Sequence, residues 1–391
     1  MGNTDSVKNV SVLGSTGSIG QSTLEIISHL KESFHVVGLS AGRNKELLYK
    51  QIIDFEPDIV SLSSEKEADE LKRMKFDHRV IIRCGQEGAE EVAGYPKNDI
   101  IISAITGING LKPTIAAVRS GKRVGLANKE SMVAAGALIN KEAAESGAEV
   151  IPVDSEHSGV FQCLHKGNIK EVKKVILTAS GGPFFHLNQR DIKNQSVEDA
   201  LDHPRWSMGK KISIDSATMM NKGLELIEAK WLFNLPPEKL DVLIHPQSIV
   251  HSLVEMRDGS VLAQLSLTDM KIPIQFALTY PRRKESALPS LDLSEVGTLD
   301  FYKADLDKFP LLRLAFKALR KEQYFSIAVN ASNESAVRAF LKRKISFSDI
   351  WDLVIEVTEE TKKMEIKTVK DILILDQETR DRTLNKIKQR Y

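Results

Sequence analysis

VSVLGSTGSIG, residues Val10–Gly20, is the stretch that decides how the N-terminal part of the chain folds. A strand-like apolar run stops at Gly14, and Gly17 and Gly20 follow in the spacing GxxGxxG before an amphipathic run over Ser22–Leu30. Small residues at such a turn let backbone N–H groups approach a pyrophosphate, and the dipole of the helix that follows favours negative charge there. An ordinary strand-to-helix turn can carry the same glycines, so the strand before them and the helix after them carry the argument. Outward from this turn, apolar runs recur at His35–Leu39, Ile59–Leu62, Val80–Arg83, Ile100–Ala104 and Val124–Ala127, with helical spacing between them, as in Leu47–Phe55. Such alternation predicts βαβ units on a parallel sheet.

The pattern changes near residue 150. Strand-like runs at Val150–Val153, Val172–Thr178, Ile212–Ile214, Val242–Ile244, Ile249–Met256 and Val261–Leu267 follow with fewer helices between them. The expected class is therefore α/β, with a Rossmann-type, doubly wound domain over residues 1–150 and an α+β catalytic domain with a mixed sheet over 151–280. Within the second domain, residues 181–209 are rich in Gly, Pro, His and Asn and poor in periodicity, which predicts a mobile lid. Residues 281–310, with three prolines, read as a linker, and 311–391 read as a C-terminal helical bundle.

Composition excludes more than it names. Lys plus Arg number 54 against 53 for Asp plus Glu, so no overall field attracts nucleic acid or an anionic membrane, and any anionic ligand must be caught locally. Two widely spaced cysteines, Cys84 and Cys163, fit no metal or CxxC pattern and suggest a reducing compartment, both as buried fillers. The longest uncharged run, Val175–Gln189, is broken by Gly181, Gly182 and Pro183, and the N-terminus reads as neither a signal nor a transit peptide, so a cytoplasmic protein is expected. Met1-Gly2 with Ser6 matches the loose N-myristoylation pattern, for which chance is the better explanation.

After the second apolar run the chain reads Ala41-Gly42-Arg43-Asn44, with no acid to hold a ribose 2′-hydroxyl. A guanidinium there suits a 2′-phosphate and favours NADP(H). Asp154 and Glu156, in PVDSEH, sit two residues apart, on one face if the strand continues, and a cation between them would relieve their repulsion. With Glu225, in NKGLE, they form an all-oxygen set that suits Mg²⁺ or Mn²⁺ better than Zn²⁺. Equally, Asp154 could be a helix N-cap, Glu156 a partner of the helix dipole and Glu225 a first-turn acid. Ser180, His203, Ser216, Asn221 and Lys222 offer hydroxyls, a ring, an amide and an ammonium to an anion. Lys129 and Glu130, in LANKES, end the last strand of the first domain, where ligands of parallel sheets gather, although a capped helix start would look the same.

Taken in order, GSTGSIG, LANKES, PVDSEH, ASGGPF, HPRWSMGKKISIDSATMMNKGLELIEA and HPQSIVHS resemble the motif series of the 1-deoxy-D-xylulose 5-phosphate reductoisomerase family, from Gly14 to His251. The resemblance implies that Asp154, Glu156 and Glu225 hold one Mg²⁺ or Mn²⁺. It implies NADPH contacts from Thr16, Gly17, Ser18, Ile19, Gly42, Arg43, Asn44, Asn128, Glu130 and Gly209. Lys129, Ser155 and Glu156 would bind the reacting part of a phosphorylated keto sugar. Ser180, His203, Ser216, Asn221 and Lys222 would grip its phosphate, under a lid containing Trp206 and Met208. His157 and His251 would be supporting residues of unassigned role. The implied reaction is the rearrangement and NADPH-dependent reduction of 1-deoxy-D-xylulose 5-phosphate to 2-C-methyl-D-erythritol 4-phosphate, in a homodimer. Competing readings are a metal-independent NADP dehydrogenase of a small acidic substrate and a non-catalytic dinucleotide sensor.

Overall fold

A computed structural model describes residues 6–164, 169–206 and 208–390. The Met1-Gly2 dipeptide of the lipidation pattern and Ser207 of the expected lid lie outside the described residues. Packing divides the described residues into two compact units. The first lies within Met1–Ser131, Ile139–Ser158 and Asp269–Pro289, and the second within Met132–Leu138, Gly159–Thr268 and Ser290–Tyr391.

The first unit is built on β1 (Lys8–Leu13), α1 (Ser18–His29), β2 (Phe34–Ala41), α2 (Lys45–Phe55), β3 (Ile59–Leu62), α3 (Glu65–Lys72), β4 (Ile81–Cys84), α4 (Gly85–Ala93), β5 (Ile100–Ser103), α5 (Leu111–Arg119), β6 (Arg123–Leu126), the two ends of α6 (Lys129–Ser146), whose Met132–Leu138 belongs to the second unit, and β7 (Glu149–Pro152). Its seven strands are parallel, in the order β4-β3-β2-β1-β5-β6-β7. Helices cover both faces, so strands such as β2, β3 and β5 read as nearly continuous apolar runs without alternation. The strand order reverses between β1 and β5, which opens the crevice at their carboxyl ends where ligands of such sheets bind.

Helix α7 (Ser155–Cys163) follows β7. The second unit then contains β8 (Val172–Ala179), α8 (Gln189–Ile192), α9 (Val197–Leu201), α10 (Lys210–Ala217), α11 (Met220–Leu232), β9 (Leu240–Ile244), β10 (Val250–Met256) and β11 (Val261–Leu265). Helix α12 (Lys271–Thr279) belongs to the first unit; α13 (Leu293–Val296), β12 (Tyr302–Lys303), α14 (Pro310–Leu319), α15 (Gln323–Leu341), α16 (Phe347–Glu360) and α17 (Val369–Arg390) return to the second. The second sheet is mixed, in the order β11-β10-β8-β9-β12, with β8 and β9 parallel and the other pairs antiparallel. The core of this unit joins the sheet to the helical bundle through side chains such as Leu177, Leu224, Leu311, Val329 and Phe347. No helix among the described residues is long and apolar enough to cross a membrane.

Several expectations require correction. The run Val150–Val153, expected to open the second domain, supplies β7, which pairs with β6 and closes the edge of the first sheet. Residues 212–214 lie in α10 and form no strand; Ile212 and Ile214 alternate with polar residues, yet Ser213, Asp215 and Ser216 are buried as well, so the period of two is accidental. The stretch 181–209 is partly helical, because Asn188 caps α8 and Ser196 and Asp199 form a reciprocal capping box on α9. The linker 281–310 also holds structure: α13 lies within it, and β12 pairs with β9. Residues 269–280, expected in the catalytic domain, pack in the first unit, where α12 meets α1 and Lys271 pairs with Glu25 at 2.5 Å. Cys84 and Cys163 are half-buried rather than fully buried.

Candidate active site

The dinucleotide turn takes the expected form. Gly14 sits at φ +85°, and a Cβ there would fall 2.7 Å from the Ala104 carbonyl oxygen, so only glycine lets the β1 and β5 loops pass this closely. Gly17 caps α1 without a side-chain hydrogen bond, and no acid occupies the first helical turn. Thr16, Gly17, Ser18 and Ile19 are exposed or half-buried around that helix start. From α2, Gln51 reaches under the turn and donates from Nε2 to the Ser15 carbonyl at 2.9 Å. Sequence reading missed this brace, because a glutamine on the buried face of an amphipathic helix carries no signal of its own.

Gly42, Arg43 and Asn44 are exposed at the carboxyl end of β2, with Asn44 also capping α2 through the Leu47 N–H at 3.1 Å. Between β2 and β6 lie β1 and β5, so these residues stand three strand spacings, about 14 Å, from the group that follows β6. A dinucleotide laid across the strand ends spans such a distance. Asn128 is spent structurally: its Oδ1 accepts from Ser131 N at 2.6 Å, and its Nδ2 donates to the carbonyls of Ile105 and Gly107. It thereby pins the β5–α5 loop, and its side chain is almost fully buried.

The register Leu126↔Pro152 carries the residues after β6 and β7 out at the same level. Lys129, at the start of α6, therefore meets Asp154, and Nζ lies 2.7 Å from Oδ2. The strand does not continue to Glu156, so the two acids are not held on one face of a strand. The chain turns into α7 at Ser155, Glu156 falls in the first helical turn, and the Ser155 hydroxyl donates to Glu156 Oε2 at 2.6 Å. Glu130 and His157 are buried beside this group.

In the second unit, Ser180 follows β8 and meets His203. Both Arg205 N–H and Trp206 N–H donate to His203 Nδ1, at 3.2 and 3.0 Å, so the ring proton resides on Nε2 and points at Ser180 Oγ, 3.0 Å away. Burial also pushes the His203 pKa down, which favours the neutral ring. Ser180 Oγ accepts a second bond from Gly182 N–H at 3.1 Å, which leaves its own proton for an incoming acceptor. Trp206 lies against His251 of β10, with ring centroids 6.5 Å apart, while Met208 is half-buried and Gly209 exposed at the start of α10.

Helices α10 and α11 meet at Met219, whose φ of +60° breaks the helical path. Ser216 lies before this joint, and Asn221, Lys222 and Glu225 lie after it on one face of α11, at spacings of three and four residues. Asn221 Nδ2 donates to Glu225 Oε1 at 2.5 Å, and the Lys222 ammonium pairs with Oε2. The Lys222 and Glu225 side chains are only 4% and 1% exposed, so this is a fully desolvated ion pair. Each acid of the expected metal set thus engages a group expected to bind substrate: Asp154 with Lys129, Glu156 with Ser155, and Glu225 with Asn221 and Lys222.

Comparison with known proteins agrees along most of the chain. Profiles described as 1-deoxy-D-xylulose 5-phosphate reductoisomerase, the C-terminal domain of that enzyme, and the DXP reductoisomerase C-terminal domain match residues 10–136, 150–233 and 265–382. The chain is 50% identical over 344 residues to the 1-deoxy-D-xylulose 5-phosphate reductoisomerase of Chlorobaculum tepidum, covering 88% of this chain and 90% of that one. It is 46% identical over 381 residues to that of Caldanaerobacter subterraneus subsp. tengcongensis, covering 97% and 99%. Among solved structures, the Zymomonas mobilis reductoisomerase in complex with NADPH is similar at a TM-score of 0.92 and 39% identity, covering 97% of this chain and 99% of that chain. A DOX-P reductoisomerase in complex with NADPH, fosmidomycin and magnesium is similar at 0.92 and 42%, with 98% of each chain covered.

Proposed function

The chain belongs to the 1-deoxy-D-xylulose 5-phosphate reductoisomerase family, and we propose that the residues described above carry out that family's reaction. The enzyme rearranges and reduces 1-deoxy-D-xylulose 5-phosphate to 2-C-methyl-D-erythritol 4-phosphate and depends on NADPH and a divalent metal. The site residues are supported most directly by the pairing of each acid in the metal set with a substrate-binding group close by in its own unit.

Asp154, Glu156 and Glu225 form the metal set. An all-oxygen donor group suits Mg²⁺ or Mn²⁺ better than Zn²⁺, and a bound dication would take over oxygens that now face the Lys129 and Lys222 ammonium groups and the Ser155 hydroxyl. When bound, the dication supplies Lewis acidity at the substrate's ketone and neighbouring hydroxyl oxygens, and NADPH supplies the hydride for the rearranged aldehyde. Lys129 holds a positive charge where negative charge develops on those oxygens. The uncapped start of α1 receives the pyrophosphate, and Arg43 receives the 2′-phosphate. Ser180 donates its outward proton to the substrate phosphate, and Ser216, Asn221 and Lys222 complete the grip. Trp206 and Met208 close over the site within the lid 181–209 and exclude water from the reactive intermediate.

We further propose a homodimer, supported by the edge strand β11, which leaves Val261 and Leu262 54% and 44% exposed. A cytoplasmic location fits an enzyme that draws on NADPH and a sugar phosphate. The balanced net charge of +1 fits small-molecule partners and gives no attraction to nucleic acid or membrane.

The test mixes the protein with NADPH, Mn²⁺ and 1-deoxy-D-xylulose 5-phosphate and follows the reduced nicotinamide band. Absorbance should fall only when all three are present. Consumption of NADPH that survives complete metal removal would point instead to a metal-independent dehydrogenase.

A further inference from the structure

The C-terminal helices carry none of the family's motif residues, yet two of them hold the joint on which the phosphate ligands sit. Asp215, the residue before Ser216, is fully buried at the end of α10. Its Oδ1 accepts a hydrogen bond from Nδ2 of Asn333 at 2.8 Å, and Asn333 is itself fully buried in the middle of α15, 118 positions along the chain. A carboxylate only accepts, so the amide nitrogen must face it, which leaves the Asn333 oxygen without a hydrogen-bond partner among the described residues. Oδ2 of Asp215 has the Lys211 ammonium 2.8 Å away, an ion contact off the line of a directed hydrogen bond. On the other side of the joint, α11 packs on α14, and a Cβ at Gly223 would fall 2.8 Å from the Ala315 Cβ. That spacing admits no larger residue beside Lys222.

We propose that Asn333 is a positioning residue for the substrate's phosphate: through Asp215 it fixes the end of α10, and with it the spacing of Ser216 from Asn221 and Lys222. The inference rests on the assignment of those three residues to the phosphate. A buried carboxylate is costly without partners, and burying Asn333 to serve it strands a carbonyl oxygen; an apolar pair would have sufficed for packing alone. What the polar pair adds is direction, because the hydrogen bond fixes how α10 is rotated against α15, whereas apolar contacts tolerate sliding.

The experiment compares N333L, N333D, D215N and the exchanged double variant D215N/N333D, each in the full-length enzyme. N333L should raise KM for 1-deoxy-D-xylulose 5-phosphate by on the order of tenfold, the worth of one buried hydrogen bond to a charged group, with kcat within about threefold of the parent. NADPH affinity, read by quenching of protein fluorescence, should be unchanged. N333D sets two carboxylates together and should be worse. In the double variant the amide and the carboxylate trade places: the amide on α10 donates to the carboxylate on α15 and turns its oxygen to Lys211, so KM should return towards the parent value. A double variant that keeps the N333D defect, or that does not fold, overturns the proposal, as does N333L with an unaltered KM. Titration with inorganic phosphate separates this outcome from failure of the functional reading. If the parent does not turn over the sugar phosphate, the reading fails; if phosphate binds parent and N333L alike, the positioning role fails.

Discussion

The buried Lys222–Glu225 pair allows a prediction that tests the metal and phosphate assignments together. Glu225→Gln is the obvious way to weaken the metal set, but Glu225 also neutralises an ammonium that is 4% exposed. Removing one partner of a desolvated pair costs about 3–5 kcal/mol, because the survivor stays buried after losing a close opposite charge. Glutamine still offers an oxygen to Nζ, so E225Q should fall at the lower end, about 3 kcal/mol. Lys222→Met leaves the carboxylate with Asn221 and should cost a similar amount. In K222M/E225Q neither charge is stranded, and the double variant should be more stable than the sum of the singles by about 2 kcal/mol or more. The assay is urea unfolding of metal-free protein followed by tryptophan fluorescence. Trp206, Trp231 and Trp351 are the chain's three tryptophans and all belong to the second unit, so the signal reports the unit that holds the pair. Mn²⁺ should then stabilise K222M more than the parent, since the Lys222 ammonium no longer competes for the carboxylate, and should barely stabilise E225Q. Additive single-variant costs, or an E225Q enzyme as stable as the parent, would refute the reasoning.

Two further outcomes are expected. Arg43→Asp should lower the ratio of kcat/KM with NADPH to that with NADH by at least about tenfold, since a guanidinium on a 2′-phosphate becomes a repelling carboxylate; an unchanged ratio removes Arg43 from that site. Burial lowers the His203 pKa below its ordinary 6.5, so the neutral, Nδ1-accepting ring contributes stability that is complete above that pH and is lost as pH falls through the lowered value, because the unfolded ring takes up its proton first. KM for the phosphorylated substrate should rise across that acidic window, and a profile flat to the onset of unfolding would dismiss the imidazole as a fixed neutral donor.

Legibility followed distance along the chain. The glycine turn and the parallel sheet were readable, because βα alternation is written in neighbouring residues. The Lys222–Glu225 pair was within reach for the same reason, three residues apart on one helix. Partners set by sheet pairing were not. The β7 run looks the same whether it extends the first sheet or begins the second, and only its register with β6 decides. The α10 segment misled more actively, since ISID alternates as a strand does. It is a helix end whose buried acid is partnered by Asn333, far along the sequence, and nothing local announces that contact.

The same distinction separates the chemistry from its support. Residues that touch ligands cluster in short motifs because an anion or a dication is small, and a helix turn or a strand end brings three or four donors within its reach. Residues that hold those turns in place answer to the packing of whole helices, so they scatter: Gln51 under the glycine turn, Ala315 against Gly223, Asn333 against Asp215. A motif can therefore identify the reaction and still say little about what keeps its geometry. At the α10–α11 joint that task falls to α14 and α15, in a segment whose residues carry no functional signal of their own.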